Sequence, residues 1–233
     1  MSALTKKQQD IEKQFDFKVI YPVGEALEII KKSSYVRFNA SVDIAVSLNI
    51  DPKKTDQVVK GSLVLPHGTG KNVTVAVICN KENGDKAKNA NADFIGNDDI
   101  IEKIISNNFP KFDILITEPS LMPKVMSKIG RIIGPKGLMP SLVNNTVTTD
   151  IATSVKEAKM GRIKFKTDKY GIVHSSVGKV SFLSSNLQEN IKELVTILLS
   201  LKPSSAKNPY IKKISLSSTM GRGVFVSVSS VAK

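Results

Sequence analysis

The spacing of hydrophobic residues changes twice along the chain, near residues 66 and 160. In the first part, apolar residues over 24–32 recur at helical spacing and predict an amphipathic helix. A strict alternation of apolar and polar residues follows, which predicts a half-buried strand because successive strand side chains point to opposite faces. Its apolar positions are Val42, Ile44, Val46 and Leu48. A second, short strand is predicted over 61–65.

The middle part, from residue 67 to residue 159, alternates strands with helices. It contains an uninterrupted apolar run over 73–79, as expected of a strand that is covered on both faces in a parallel sheet. The other elements predicted here are a helix over 99–105, a strand over 112–116, and helices over 121–129 and 151–159. Asp150 is placed to cap the last helix. This order of elements predicts a small α/β domain of βαβ units.

The last part returns to strand alternation. Strands are predicted around 163–165 and 172–182 and, near the end of the chain, over 210–216 and 224–228. A long helix separates the two pairs of strands. It is predicted to begin at Ser185, with Gln188 placed to close a capping box, and to end before Pro203.

The sequence Ser215–Gly223 joins the last two strands and combines four hydroxyl side chains with a methionine, an arginine and two glycines. Its position between two alternating stretches is typical of a hairpin turn. Its hydroxyls, and a backbone that Gly221 and Gly223 leave accessible and free to adopt positive φ, would also suit a bound ligand. These residues alone leave both interpretations open.

Positive charge is concentrated in the last part. The formal net charge is +13, and residues 161–233 hold twelve Lys/Arg against three Asp/Glu, an excess of +9 that favours a polyanionic partner. Arg162, Lys164 and Lys166 alternate along a predicted strand, so we expect them to share one face, which either meets phosphates or faces solvent. Phe38, which follows Arg37, is either a core aromatic or one that stacks on a base.

Several classes of protein and site are disfavoured. The sequence His67–Lys71 resembles a phosphate loop, but it lacks the first glycine and leads into a predicted strand. Gly134–Gly137 matches the GxxG loop of KH domains, yet Pro140 opposes the helix that must follow. No metal-ligand spacing, nucleophile elbow or acid–base pair is present, so we predict no enzyme, catalytic residue, metal or cofactor. A general KH-like RNA-binding module and a nucleotide-using enzyme remain the alternatives.

The sequence also bears on location. No apolar run approaches the ~20 residues that cross a bilayer, and residues 1–18 are polar, so we expect neither a membrane segment nor a signal peptide. The single cysteine, Cys79, ends an apolar run and is predicted to be a buried thiol. A chain with one cysteine forms no internal disulfide, which fits a cytosolic protein.

Several long segments, in order along almost the whole chain, resemble the L1 family of ribosomal proteins in its bacterial form. Members of this family bind the rRNA of the mobile stalk of the large subunit. The segments that carry the resemblance are 51–61, 65–71, 92–96, 130–140, 171–174, 178–182 and 217–221.

The resemblance implies a two-domain protein that combines α+β and α/β architecture. Residues 1–66 and 160–233 would form a discontinuous first domain, a split βαβ sandwich that is the main RNA-binding domain. Residues 67–159 would form an inserted Rossmann-like domain of three layers. The hinge residues expected between the domains are Pro66, His67, Gly68, Lys159, Met160 and Gly161.

The resemblance further implies a structural constituent of the large ribosomal subunit that binds stalk rRNA. Members of the family also assist the release of deacylated tRNA from the exit site, and in bacteria often repress translation of their own operon mRNA. We therefore expect these RNAs and other ribosomal components as partners, no membrane contact, a cytoplasmic, ribosome-bound location, and a monomer when free. The residues predicted to bind RNA are Arg37, Phe38, Lys164, Lys166, Asp168, His174, Ser215, Ser217, Thr219, Met220, Gly221 and Arg222.

Three features depart from the family pattern. Arg222 stands where the family usually has proline, and it adds a charge that can reach a phosphate. Ser141–Asn145 replaces the usual Asn-Pro-Lys-Thr-Gly and removes a lysine from the inserted domain. The N-terminal arm is short and less basic than usual, so we expect it to add little affinity.

Overall fold

The computed structural model describes residues 11, 13–106 and 111–231, which form two compact units. Unit 1 is built from both ends of the chain, up to Gly70 and from Ile163 onward, and unit 2 is Lys71–Arg162. The unit boundaries therefore follow residues 70 and 162, whereas the sequence predicted boundaries after residues 66 and 159. Residues 1–10, which include most of the predicted N-terminal arm, lie outside the described residues.

The strands and helices follow one another along the chain in a mixed order. The strands are β1 Ile20–Tyr21, β2 Ser41–Leu48, β3 Lys60–Val64, β4 Val75–Ile78, β5 Phe94–Gly96, β6 Ile114–Thr117, β7 Arg162–Lys166, β8 Ile172–Lys179, β9 Ile211–Ser218 and β10 Val224–Val226. The helices are α1 Val23–Ser33, α2 Lys81–Asn89, α3 Asp98–Ile105, α4 Met122–Ile133, α5 Ile151–Gly161, α6 Ser184–Ser200 and α7 Val228–Val231.

Unit 1 is organised around a five-stranded sheet in the order β1–β10–β9–β2–β8. β2 is antiparallel to both of its neighbours, and β1 is parallel to β10. Val42, Ile44, Val46 and Leu48 of β2 are buried and the intervening residues are half-buried, so the predicted alternation is confirmed. The buried residues share one hydrophobic core with α1 and α6, which places the helical layer on one face of the sheet.

Unit 2 contains a parallel sheet in the order β5–β4–β6, with helices on both faces. Val75 and Val77 of β4 pack with α2 and α5, whereas Ala76 and Ile78 pack with α3 and α4. Both faces of β4 are thus covered, which confirms the prediction from the apolar run. The Asp150 carboxylate accepts a hydrogen bond from the Thr153 N–H at 3.3 Å and caps α5 as predicted.

Two local predictions are wrong. α6 begins at Ser184 and its cap position is Leu183, so Ser185 lies inside the first turn and the capping box does not form. Val228 does not extend β10, because the chain turns at Ser227 into α7. The Ser230 N–H and hydroxyl both donate to the Ser227 carbonyl, at 3.2 and 2.7 Å, and this closes the turn.

Candidate nucleic-acid interface

The five-stranded sheet has a second face, opposite its helical layer, which we call the open face. The residues of β2 that point to the open face are Ser41, Asp43, Ala45 and Ser47. Residues that stand opposite one another on neighbouring strands point to the same face of the sheet. The strand register therefore shows which residues of β8, β9 and β10 share the open face with those of β2. The two central rows are His174–Ala45–Ser215–Phe225 and Ser176–Asp43–Ser217. Hydroxyls and other small side chains predominate, which lets a ligand approach the strands closely.

Three of the predicted RNA-binding residues meet on the open face. His174 lies on β8, and Ser215 and Ser217 lie on β9, with β2 between the two strands. The β2 strand is more than a hundred residues away from both in the sequence. The candidate interface is thus assembled by strand pairing rather than by any continuous motif.

The turn Thr219–Gly223 connects β9 with β10 at one end of the open face. The Thr219 N–H donates to the Ser41 carbonyl at 3.0 Å, and Thr219 Oγ1 accepts from the Ser41 N–H at 3.0 Å. The Thr219 hydroxyl also donates to the Ser41 carbonyl at 3.4 Å. Thr219 therefore acts on the interface by fixing the turn to the start of β2.

Met220 adopts a conformation that the neighbouring glycines would tolerate more easily. Its φ is 67°, in the left-handed region, whereas neither Gly221 nor Gly223 has positive φ. Gly221 is needed for a different reason: a Cβ added there would lie 2.2 Å from Ser218 Oγ. The Met220 carbonyl accepts from the Tyr35 hydroxyl at 2.9 Å. These contacts hold the backbone while the Met220 side chain stays 67% exposed.

Phe38 and Arg37 lie in the irregular segment between α1 and β2, and both are exposed. Phe38 is 56% exposed, which excludes the interpretation as a core aromatic. The same segment contacts the turn at both of its ends, through Tyr35 and through Ser41. Phe38 is three residues from each, within about 10 Å along the chain. Phe38 and Met220 therefore lie at the same end of the open face.

The predicted basic strand is β7, and its three cations do not share one environment. Lys164 and Lys166 are exposed on β7, with Phe165 between them in the core. Arg162 is buried: it donates to the Asn144 and Asn145 carbonyls at 3.1 and 3.0 Å and forms an ion pair with Glu157. The expectation that all three cations share an exposed face is therefore wrong. Arg162 instead holds the 141–145 loop of unit 2.

Asp168 orders the turn between β7 and β8. Its Oδ1 accepts from the N–H groups of Tyr170 and Ile172, both at 2.8 Å, and its Oδ2 lies 3.6 Å from His174 Nε2. The hydrogen bond from the Ile172 N–H lowers the pKa of the Asp168 carboxyl. Partial dehydration raises that pKa, but the Tyr170 N–H and His174 lower it further, so the net shift is downward. Asp168 thereby positions His174 at the edge of the open face.

The lowered pKa of Asp168 predicts how this turn responds to acid. A carboxyl whose pKa is lowered in the folded state stabilises the fold at pH values above its ordinary pKa of 3.8. This stabilisation is lost as the pH falls through the lowered pKa. We expect the amide resonances of Tyr170 and Ile172 to shift together in an NMR titration, with a midpoint below 3.8. Asp168→Asn should abolish this transition. A midpoint at or above the ordinary value would contradict the assigned role.

The first predicted hinge segment is bound to unit 1. Asn190 of α6 accepts from the His67 N–H at 3.1 Å and donates to the Gly68 carbonyl at 3.1 Å, and His67 Nε2 lies 2.5 Å from Glu189 Oε2. These contacts explain why the boundary of unit 1 falls after Gly70 rather than before His67.

The second predicted hinge segment includes the end of α5. Lys159 pairs with Asp93 at 3.2 Å within unit 2, and Gly161 ends the helix with a φ of 111°. Met160, between them, is exposed. Hinge motion at the two segments stays a prediction.

Phe225 is an aromatic residue of the open face that sequence reasoning missed. It lies in the row of Ser215 and His174 and is 39% exposed. The signal was present, because an aromatic between the inward-facing Val224 and Val226 must point to the opposite face. The partners Tyr35 and Ser41 gave no such signal, since their role depends on the register of distant strands.

The alternative chemistries gain no support from the described residues. Lys71 leads into β4 rather than a helix, and no α-helix begins after Gly134–Gly137 until α5. Within the described ranges, no group of three His, Cys, Asp or Glu side chains could hold a metal ion. In the same ranges, no helix has the length and apolar character needed to cross a membrane.

Comparison with known proteins gives one consistent result. Residues 30–222 match the model of the ribosomal protein L1p/L10e family. The chain is 49% identical to the large ribosomal subunit protein uL1 of Amoebophilus asiaticus, over 98% of both chains. It is 46% identical to uL1 of Phocaeicola vulgatus, over 99% of both chains. It is 45% identical to uL1 of Bordetella pertussis, over 100% of this chain and 99% of that one.

Proposed function

Because the chain belongs to the ribosomal protein L1p/L10e family, we propose that its open face binds the stalk rRNA of the large ribosomal subunit. Membership makes the protein a structural constituent of the large subunit rather than an enzyme. One observation carries the proposal. The register of β8, β2 and β9 aligns His174, Ser215 and Ser217 on one hydroxyl-rich face that ends at Met220.

The chemistry of this face suits structured RNA. Such RNA is bound mainly through its shape, its 2′-hydroxyls and its phosphates, and unpaired bases stack on exposed aromatic side chains. Ser215 and Ser217 can exchange hydrogen bonds with riboses and phosphates. Lys164 and Lys166 precede β8 through the short Asp168 turn and supply the salt-dependent part of the affinity.

The family resemblance extends the proposal to two further RNAs. We propose that the protein assists the release of deacylated tRNA from the exit site of the ribosome, and that it represses translation of its own operon mRNA. The mRNA would occupy the same open face as the rRNA, because hydroxyls and cations recognise the geometry of the RNA backbone rather than a long base sequence. The two RNAs should therefore compete.

A carboxylate placed in the centre of the open face tests the proposal. Ser215→Glu should weaken binding to a stalk rRNA fragment about tenfold or more, since a negative charge beside phosphates is strongly unfavourable. Ser185→Glu, at an exposed hydroxyl on the helical layer, is the matched control and should bind as the unmodified protein does. Filter binding over a series of salt concentrations measures both, and the mRNA leader should respond in parallel. Unchanged affinity for Ser215→Glu in a folded protein would refute the assignment.

A further inference from the structure

The open face continues beyond the residues that the family resemblance assigns to RNA. β10 and β1 follow β9 in the sheet, and Phe225 of β10 stands opposite Ser215 on one side and Ile20 on the other. Phe225 is 39% exposed and Ile20 beside it 66%, so apolar surface that includes an aromatic ring reaches solvent next to the small hydroxyl side chains of the open face. An exposed aromatic ring packs best against a partner that is flat and apolar on its faces.

Two grooves flank the Phe225 ring. The larger has a volume of about 870 Å³ and is lined by residues 13–18, Arg222, Gly223 and Phe225. The smaller has a volume of about 280 Å³ and is lined by Lys18, Ile20, residues 212–214 and residues 225–228. Phe225 and Lys18 line both grooves, so the ring borders each of them.

The surroundings of the ring are strongly basic. The cations that line the two grooves are Lys13, Lys18, Lys212, Lys213 and Arg222. Among the lining residues that the structure describes, Asp16 is the only acidic one, and its Oδ1 accepts from the Lys18 N–H at 2.9 Å. Lys213 Nζ lies 5.9 Å from the centroid of the Phe225 ring, and the Arg222 guanidinium lies 5.7 Å from that of Phe17. The charge here favours an anionic partner.

We propose that Phe225 is a stacking site for an unpaired base of the bound RNA, with Lys213 on one side and Arg222 on the other placed toward its phosphates. This proposal rests on the proposed function of the open face and extends it by one nucleotide-binding position. An exposed ring between cations is the arrangement with which proteins hold single-stranded nucleotides, since every base has a face that stacks and every nucleotide carries a phosphate. A neutral protein segment would match the ring but would bring no anionic group toward the surrounding cations.

A fluorescent substitution tests the stacking directly. The chain contains no tryptophan, so Phe225→Trp introduces a single reporter at the site. We expect its emission to be quenched when a stalk rRNA fragment with an unpaired segment is added to the full-length protein. Leu199→Trp is the matched control, because Leu199 on α6 is 41% exposed, and its emission should not change.

Affinity measurements complete the test. Phe225→Leu keeps an apolar side chain on the strand but removes the π-face, and should weaken binding to the rRNA fragment roughly fivefold to a hundredfold. Phe225→Tyr should bind as the unmodified protein does. Circular dichroism and the melting temperature of each variant establish that the fold is kept.

The outcomes separate this proposal from the one on which it rests. If the Phe225 variants bind rRNA normally and Phe225→Trp is not quenched, the stacking site is refuted while the open face stands. If the unmodified protein does not bind the fragment, both proposals fail. If the emission changes only with whole large subunits and not with rRNA, the ring meets a ribosomal protein and the stacking site is refuted.

Discussion

The double substitution Phe38→Ala with Met220→Ala should weaken binding to stalk rRNA about 30- to 700-fold. This range corresponds to a combined loss of about 2–4 kcal/mol, since an aromatic side chain that stacks on a base contributes roughly 1–3 kcal/mol and the packing of Met220 adds to it. Both side chains are largely exposed and belong to no hydrophobic core cluster, so their removal should leave the fold intact. Alanine is the right replacement at Met220 because glycine would relax the left-handed backbone that positions the turn.

Equilibrium binding of the two single variants and the double variant measures this loss. The two residues lie at the same end of the open face, so a double-mutant cycle should report coupling between them if both contact one nucleotide. Met126→Ala is the matched control: Met126 is 61% exposed on α4 of unit 2, close to the 67% of Met220. Affinity of the double variant within twofold of the unmodified protein would place the RNA elsewhere.

Sequence patterns predicted the elements whose surroundings depend on nearby residues. The alternation around Val42 and Val46 described β2 correctly because one face of a strand must be buried for the strand to pack. The apolar run of β4 described a strand covered on both faces for the same reason. Pro123 did not prevent α4, since it lies in the first turn, where a missing N–H costs nothing.

The errors arise where long-range contacts override the local pattern. Arg162 occupies a position of β7 that alternates with the core, yet carbonyls of the 141–145 loop and Glu157 bury its side chain. Thr219 stays a predicted RNA-binding residue, but the hydrogen bonds of its hydroxyl with the Ser41 backbone had no signal in the sequence. Both partners depend on how the chain folds back on itself, which no spacing of residues within the segment reveals.

In the candidate site, too, some placements follow from the local pattern and others depend on long-range pairing. That Ser215 and Ser217 share one face follows from alternation on β9 alone. That His174 joins them depends on the pairing of β2 with β8 and β9, in which a bulge after Val42 shifts the register. The family resemblance pointed to His174 from motif positions, and the strand register supplies the physical reason why it belongs with the two serines.

Asn190 shows how a residue far from the open face can support it. Its side chain is fully buried in the apolar stripe of α6, between Leu187 and Leu194. It donates to the Val177 carbonyl of β8 at 2.8 Å and also bonds the backbone of His67 and Gly68. One amide thereby joins the helical layer, the strand that carries His174, and the segment that leads into unit 2.

Replacing Asn190 with alanine should lower the free energy of unfolding of unit 1 by about 2–4 kcal/mol. Each buried backbone group left without a partner costs roughly 1–3 kcal/mol, and Val177, which lies in the core, loses the most. Tyrosine emission during urea unfolding measures this unit alone, because the chain has no tryptophan and all four tyrosines lie in unit 1: Tyr21, Tyr35, Tyr170 and Tyr210. Glu189→Ala is the matched control, since its exposed pair with His67 should contribute at most about 1 kcal/mol. Equal midpoints for the two variants would mean that the Asn190 hydrogen bonds do not hold these three parts together.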